Sequence, residues 1–184
     1  MFAASRRFAL SALLALAFTA CGGTQQDPNE AAEVGDPLQA GTKTVGAGIY
    51  RSPRPTFADL SALKAQGVKY ILNLENDSGA VANERKWAAQ LGMNYISEPM
   101  SGFWSPNDSQ VNRIVAVLAD PTRRPILVHC LHGEDRTGLI IGLHRVFHEG
   151  VTPAKAYAEM LANGFHRSLV FLNHYYEEKT GFDD

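Results

Sequence analysis

Short apolar runs alternate along the chain with stretches whose apolar residues recur at helical spacing. Ala47 to Arg51 and Val68 to Leu74 (VKYILNL) read as strands, as do Met93 to Ile96 and Ile126 to Val128. Between them, Phe57 to Gln66 reads as a helix stopped by Gly67, and Ala80 to Leu91 as a helix stopped by Gly92. Val111, Ile114, Val115 and Leu118 fall at i, i+3, i+4 and i+7, the stripe of a helix with one buried face. Pro121 and Pro125 bracket a turn. Leu139, Leu143 and Phe147 mark a further helix that ends at Gly150. Thr152 and Pro153 then open one that runs to Asn163, and a last helix starts near Ser168. This alternation predicts an α/β fold with a mostly parallel central sheet flanked by helices.

The N-terminus breaks the pattern. Arg6 and Arg7 precede Phe8 to Ala20, an apolar run too short to span a bilayer but suited to a signal-peptide core. Residues 1–20 therefore read as a signal peptide. The run ends in Phe18-Thr19-Ala20-Cys21-Gly22-Gly23, which resembles the lipobox of bacterial lipoproteins, with Phe18 where Leu is usual. The resemblance implies lipidation at Cys21, export, and an outer-membrane lipoprotein facing periplasm or exterior. Residues 21–44 are polar and poor in large apolar side chains, and read as the lipidated cysteine with a disordered tether. The domain is expected over residues 45–184.

Charge narrows the partners. Lys and Arg number 17 against 19 Asp and Glu, a net charge of −2, which gives no support to bulk binding of nucleic acid or of an anionic membrane. Membrane contact is expected through the lipid anchor alone.

The chain has two cysteines, Cys21 and Cys130. With Cys21 lipidated, Cys130 has no disulfide partner, and two cysteines do not build a zinc site alone. Cys130 follows a buried strand and precedes a helix expected to begin near Arg136. Such a loop aims several backbone N–H groups and the helix dipole at one point, which favours an anion, phosphate above all. Five residues, Leu131, His132, Gly133, Glu134 and Asp135, separate Cys130 from Arg136. They wrap a tetrahedral anion above the sulfur, and the guanidinium of Arg136 grips two of its oxygens. Gly133 permits a close backbone approach. Converging donors also favour the thiolate, the attacking form, and the hydroxyl of Thr137 is placed to hydrogen-bond the sulfur. No metal or cofactor is called for.

The pattern His129-Cys130-x5-Arg136-Thr137, with Gly133, resembles the signature of the protein tyrosine phosphatase superfamily. Tyr50-Arg51-Ser52 and the approach Pro125-Ile126-Leu127-Val128-His129-Cys130 are similar to atypical dual-specificity phosphatases, over roughly Val45 to Asp184. The resemblance implies Cys130 as nucleophile, Arg136 as phosphate clamp, and His129 and Thr137 as residues that tune the sulfur. It implies hydrolysis of phosphomonoesters on phosphorylated protein side chains or small molecules through a phosphocysteine. An inositol phosphate or phosphoinositide phosphatase is the close variant, although Glu134 stands where that branch has Lys. A phosphate-binding module without catalysis is a second alternative, disfavoured because binding alone needs no thiolate.

Two carboxylates compete for the general acid. Asp108 lies in a loop with Phe103 and Trp104, where a drier setting would raise its pKa, and it also fits a helix cap led by Ser105 and Pro106. Asp135 is the rival; Asp108 is favoured because Asp135 is expected to splay outward beside Arg136. His144 and His148, four apart with Glu149 beside them, have metal-ligand spacing, but the default is a solvated helix face. Arg51, Arg85 and Arg167 are read by default as surface arginines.

Overall fold

The computed structural model describes residues 41–183. The signal peptide, Cys21 and the tether as far as residue 40 lie outside the described residues. Five strands form one sheet: β1 (Lys43–Gly46), β2 (Ile49–Ser52), β3 (Tyr70–Asn73), β4 (Asn94–Ser97) and β5 (Ile126–His129). Their order is β1-β2-β5-β3-β4. Only β1 pairs antiparallel, against β2; every other pairing is parallel. The expected mostly parallel sheet is thus present. β1 starts at Lys43, two residues before the expected domain start, because a short hairpin through Gly46, Ala47 and Gly48 folds this polar segment onto the edge of β2.

Among the described residues, six α-helices flank the sheet: α1 (Phe57–Ala65), α2 (Ser78–Gln90), α3 (Asp108–Ala119), α4 (Asp135–Glu149), α5 (Pro153–Ala162) and α6 (Val170–Thr180). Strand residues alternate between the two faces, as the pleat requires. Leu127 and Ile71 pack with Leu60 and Leu63 of α1 and Ala88 of α2. Ile126, Val128, Leu72 and Ile49 face the other way, into a larger core with α3 to α6. β5 is central and buried at every position, which explains its unbroken apolar run. No helix among the described residues is long and apolar enough to cross a membrane.

Local signals set the helix ends. Thr56 and Asp59 form a reciprocal capping box on α1. The cap of α3 is Asn107, whose Oδ1 accepts from the N–H groups of Ser109 and Gln110, and not the expected Ser105. A carboxamide one residue before the helix reaches these donors directly, so Asp108 becomes its first residue.

α4 rises from the carboxyl end of β5 and is buried along Arg136 to His144. At Gly142 it meets α5 and α6 so closely that a Cβ would lie 2.4 Å from Met160 Sδ and 3.2 Å from the Tyr176 ring. Gly142→Ala is expected to destabilise the protein by about 1–3 kcal/mol through overpacking, outweighing the roughly 1 kcal/mol gained in helix propensity. Urea denaturation checks this; an unchanged or higher midpoint would show that the packing is slack.

Candidate active site

The loop from Cys130 to Arg136 sits at the carboxyl end of β5, where open α/β sheets bind ligands. The chain continuing from the neighbouring strand β2 holds it from one side. Arg51 is buried and donates from Nη2 to the carbonyls of Gly133 and Glu134, at 2.6 and 3.4 Å. The N–H of Arg54 donates to the carbonyl of Leu131 at 3.1 Å. In a trans peptide the N–H points opposite the carbonyl. Binding these three carbonyls to the β2 side turns the N–H groups of His132, Glu134 and Asp135 the other way. Gly133 has φ +71, and a Cβ there would lie 2.3 Å from the Ser52 carbonyl oxygen. The close approach expected at this glycine is therefore made to the protein's own backbone, and only glycine fits.

A buried polar chain holds the loop from the other side, through β3 and α2. His129 Nε2 lies 2.8 Å from Glu84 Oε1, with both side chains almost fully buried. Glu84 Oε2 accepts from Asn73 Nδ2 at 2.6 Å, and Asn73 Oδ1 accepts from the Glu75 N–H at 2.6 Å. Glu75 takes a two-pronged ion pair from Arg54. Asn73 also donates to the hydroxyl of Tyr95. Burial and then the nearby Glu84 charge push the Tyr95 pKa well above its ordinary range. His129 is thus tied to Glu84 of α2, and its Nδ1 lies 3.4 Å from the Cys130 carbonyl oxygen at the start of the loop.

Cys130 is a buried free thiol at the base of the loop. Arg136 lies in the first turn of α4, nearly buried, and all its hydrogen bonds come from Nη1, to Leu74 O, Asn76 Oδ1 and Met100 O. These bonds fix the guanidinium and leave Nε and Nη2 as donors for an anion. The hydroxyl of Thr137 is buried without a hydrogen-bond partner, so it does not bond the sulfur as expected. Leu131 and His132 are exposed.

The two acids stand apart. Asp108 is exposed; its carboxylate accepts from Tyr175 OH and Lys179 Nζ, each at 2.9 Å. The Lys179 ammonium and then the Tyr175 hydroxyl hold its carboxyl below the usual carboxylate range. The dry, proton-retaining setting expected for Asp108 is therefore absent: its loop turns it toward α6, and it lines a cavity that contains no residue of the phosphate loop. Asp135 does not splay free. Its Oδ1 accepts from the backbone N–H of His166 at 2.8 Å and lies 3.0 Å from His166 Nδ1, while Oδ2 makes no hydrogen bond.

Trp104 and Phe103 are exposed, and Trp104 leans on Phe171 of α6. Of the three arginines read as surface groups, Arg51 is a buried loop clamp, Arg85 covers the Tyr95 ring and Arg167 the Tyr157 ring. No motif in the sequence marks Glu84, Asn73 or Glu75. The one signal for Glu84 was its place four residues before Ala88, on the buried stripe of α2.

A central strand running into a Cys-x5-Arg loop, with the arginine in the first turn of the next helix, defines a protein tyrosine phosphatase-like domain. Residues 32–171 match the family described as "DSP-PTPase phosphatase fused to NAD+ Kinase", and the chain belongs to it. The dual specificity protein phosphatase TpbA of Pseudomonas aeruginosa is 29% identical over 118 residues, 64% of this chain and 51% of that protein. Inositol diphosphatase DSP4 of Arabidopsis thaliana is 31% identical over 108 residues, 55% of this chain and 52% of that protein. The chain spans about half the length of these relatives. The fold is shared with the crystal structure of P. aeruginosa TpbA, at a TM-score of 0.63 and 24% identity over 77% of this chain and 84% of that one. It is shared equally with the core catalytic domain of the PP-IP phosphatase SIW14 from S. cerevisiae, at a TM-score of 0.63 and 24% identity over 75% and 87%.

The Arg51 clamp gives a direct test. Arg51→Ala leaves the Gly133 carbonyl buried and unmet, and is expected to cost about 1–3 kcal/mol of stability with at least a tenfold loss of phosphate-analogue affinity. Arg51→Lys should recover stability better than affinity, because one ammonium does not span two carbonyls. Denaturation and vanadate or tungstate titration read the two effects; unchanged anion affinity in Arg51→Ala would show that the clamp does not shape the loop.

Proposed function

We propose that the protein hydrolyses phosphomonoesters through a phosphocysteine on Cys130, with phosphorylated protein side chains as substrates. The observation that carries this reading is the lone buried thiol at the base of a loop whose carbonyls are bound on the β2 side, with Arg136 fixed at its end. The N–H groups of the loop and the N-terminus of α4 hold the phosphate oxygens, with Nε and Nη2 of Arg136. Sγ attacks phosphorus, the bond from phosphorus to the ester oxygen breaks, and the leaving oxygen takes a proton from Asp135. Water then attacks phosphorus, the sulfur–phosphorus bond breaks, the thiolate returns, and the water's proton passes to Asp135.

Asp135 is assigned the acid role in place of Asp108. It lies in the loop and is largely shielded, with one carboxylate oxygen fixed by His166 and the other unbonded, whereas Asp108 is exposed and tied to Lys179. A second reading, hydrolysis of an inositol phosphate, draws support from the likeness to inositol diphosphatases. Against it stand Glu134 in the loop and the commitment of Arg54 to Glu75 and Asp77, which leaves few cations for a polyanion.

A phenol leaving group, with a pKa near 10, needs little proton assistance; an alkyl alcohol needs much more. Asp135→Asn keeps the acceptor for His166 and is expected to slow an alkyl phosphate by about 10²–10⁴-fold, and an activated aryl phosphate far less. Asp108→Asn should leave that ratio unchanged. A ratio that follows Asp108 would return the acid to α3. Phosphotyrosine and phosphothreonine peptides should outpace an inositol polyphosphate in kcat/KM; the reverse order would favour the second reading.

A further inference from the structure

His144 does not lie on a solvated helix face. Its ring is 1% exposed, yet neither ring nitrogen makes a hydrogen bond. A buried ring with no aligned hydrogen-bond partner is costly and calls for an explanation. His144 lines a cavity of about 410 Å³ beside the β1–β2 turn, together with His148 and Glu149. His148 stands one helical turn further along α4, exposed, its ring stacked on that of His144 with centroids 5.5 Å apart. Glu149 folds back, so that its Oε1 lies 3.2 Å from His144 Nε2. That pair is close but not aligned as a hydrogen bond. Two ligands held about 2.0–2.2 Å from a tetrahedral zinc ion lie about 3.3–3.6 Å from each other, and the His144–Glu149 pair falls just short of that range. The spacing is close to that of two ligands of one ion.

We propose that His144, His148 and Glu149 bind one first-row transition dication of the zinc class. A rotation of the exposed His148 brings its nitrogen to the pair, and water completes the tetrahedron. Imidazole and carboxylate are the donors this class takes. Two cations also face the cavity. Arg145 is matched by Glu149 Oε2 and by Glu159, and orients the Glu149 carboxylate from behind. Arg124 spends its terminal nitrogens on the carbonyls of Ala47 and Leu118. The negative end of the α4 dipole adds to the attraction for a cation. The site lies at the opposite end of α4 from Arg136 and takes no part in the phosphate chemistry.

The full chain, stripped of metal, is titrated with Co²⁺ and read by visible absorption. One equivalent should bind with an intense tetrahedral spectrum, be displaced by Zn²⁺, and raise the thermal midpoint. His144→Ala removes a core side chain and risks the fold, so the decisive variants are His148→Ala and Glu149→Gln. Each should weaken Co²⁺ binding at least tenfold and abolish the thermal shift. Unchanged affinity in both, or no binding by the wild type, overturns the proposal. So does a sulfur-to-cobalt charge-transfer band, which places the ion on a cysteine. Among the described residues, the three ligand atoms that already lie within 4.8 Å of one another are those of Glu134, Asp135 and His166; the set of His144, His148 and Glu149 reaches such spacing only once His148 turns. A loss of binding in His166→Ala in place of His148→Ala would put the ion there and overturn the assignment.

Discussion

The site depends on one guanidinium. Arg51 sits where β2 runs parallel to β5, and the register that sets Ser52 opposite His129 carries the β2 chain past the end of the sheet beside the phosphate loop. From there it binds the Gly133 and Glu134 carbonyls. Peptide planarity does the rest, because a carbonyl held on one side commits the following N–H to the other. The loop needs no side chain of its own to form an anion cradle; it needs neighbours that take its carbonyls. The same constraint explains Gly133, whose backbone presses on the Ser52 carbonyl with no room for a Cβ. The strand order, with β5 flanked by β2 and β3, is what brings both clamps to the loop.

The β3 side works by a different means. His129, Glu84, Asn73 and Glu75 form a chain of buried hydrogen bonds that ends in the ion pair with Arg54. Burying such groups is costly unless each is satisfied, and a satisfied network favours one arrangement over its alternatives. Arg54 belongs to both supports, since its backbone N–H holds the Leu131 carbonyl while its side chain closes the chain at Glu75. Shifts in β2 and β3 would therefore be felt together at the sulfur.

The sequence carries the fold and the loop clearly, and for a physical reason. A buried parallel strand, a loop of fixed spacing and a helix start are each written in adjacent residues, so Ile126 to Arg136 could be read as a unit. Groups that act across the sheet leave no such local mark. Arg51 reads as a surface arginine because nothing near it shows that Gly133 lies against it. Nothing local marks Glu84 as buried, because its partner is 45 positions away. Asp108 fits an acid-loop pattern, but Lys179 and Tyr175, some seventy positions later, decide which way it faces. The first half of β1 reads as tether because Lys43 and Thr44 are polar, and only pairing with β2 makes them a strand.

The central claim is that Cys130 carries the phosphate during turnover. The direct measurement is a denaturing quench during turnover of a phosphotyrosine analogue, followed by peptide mapping for covalent phosphate. The account predicts phosphate on the sulfur of the peptide containing Cys130, formed within the first turnover and absent from Cys130→Ser, which should retain anion binding. Phosphate on any other side chain, or sustained turnover by Cys130→Ser, would contradict it.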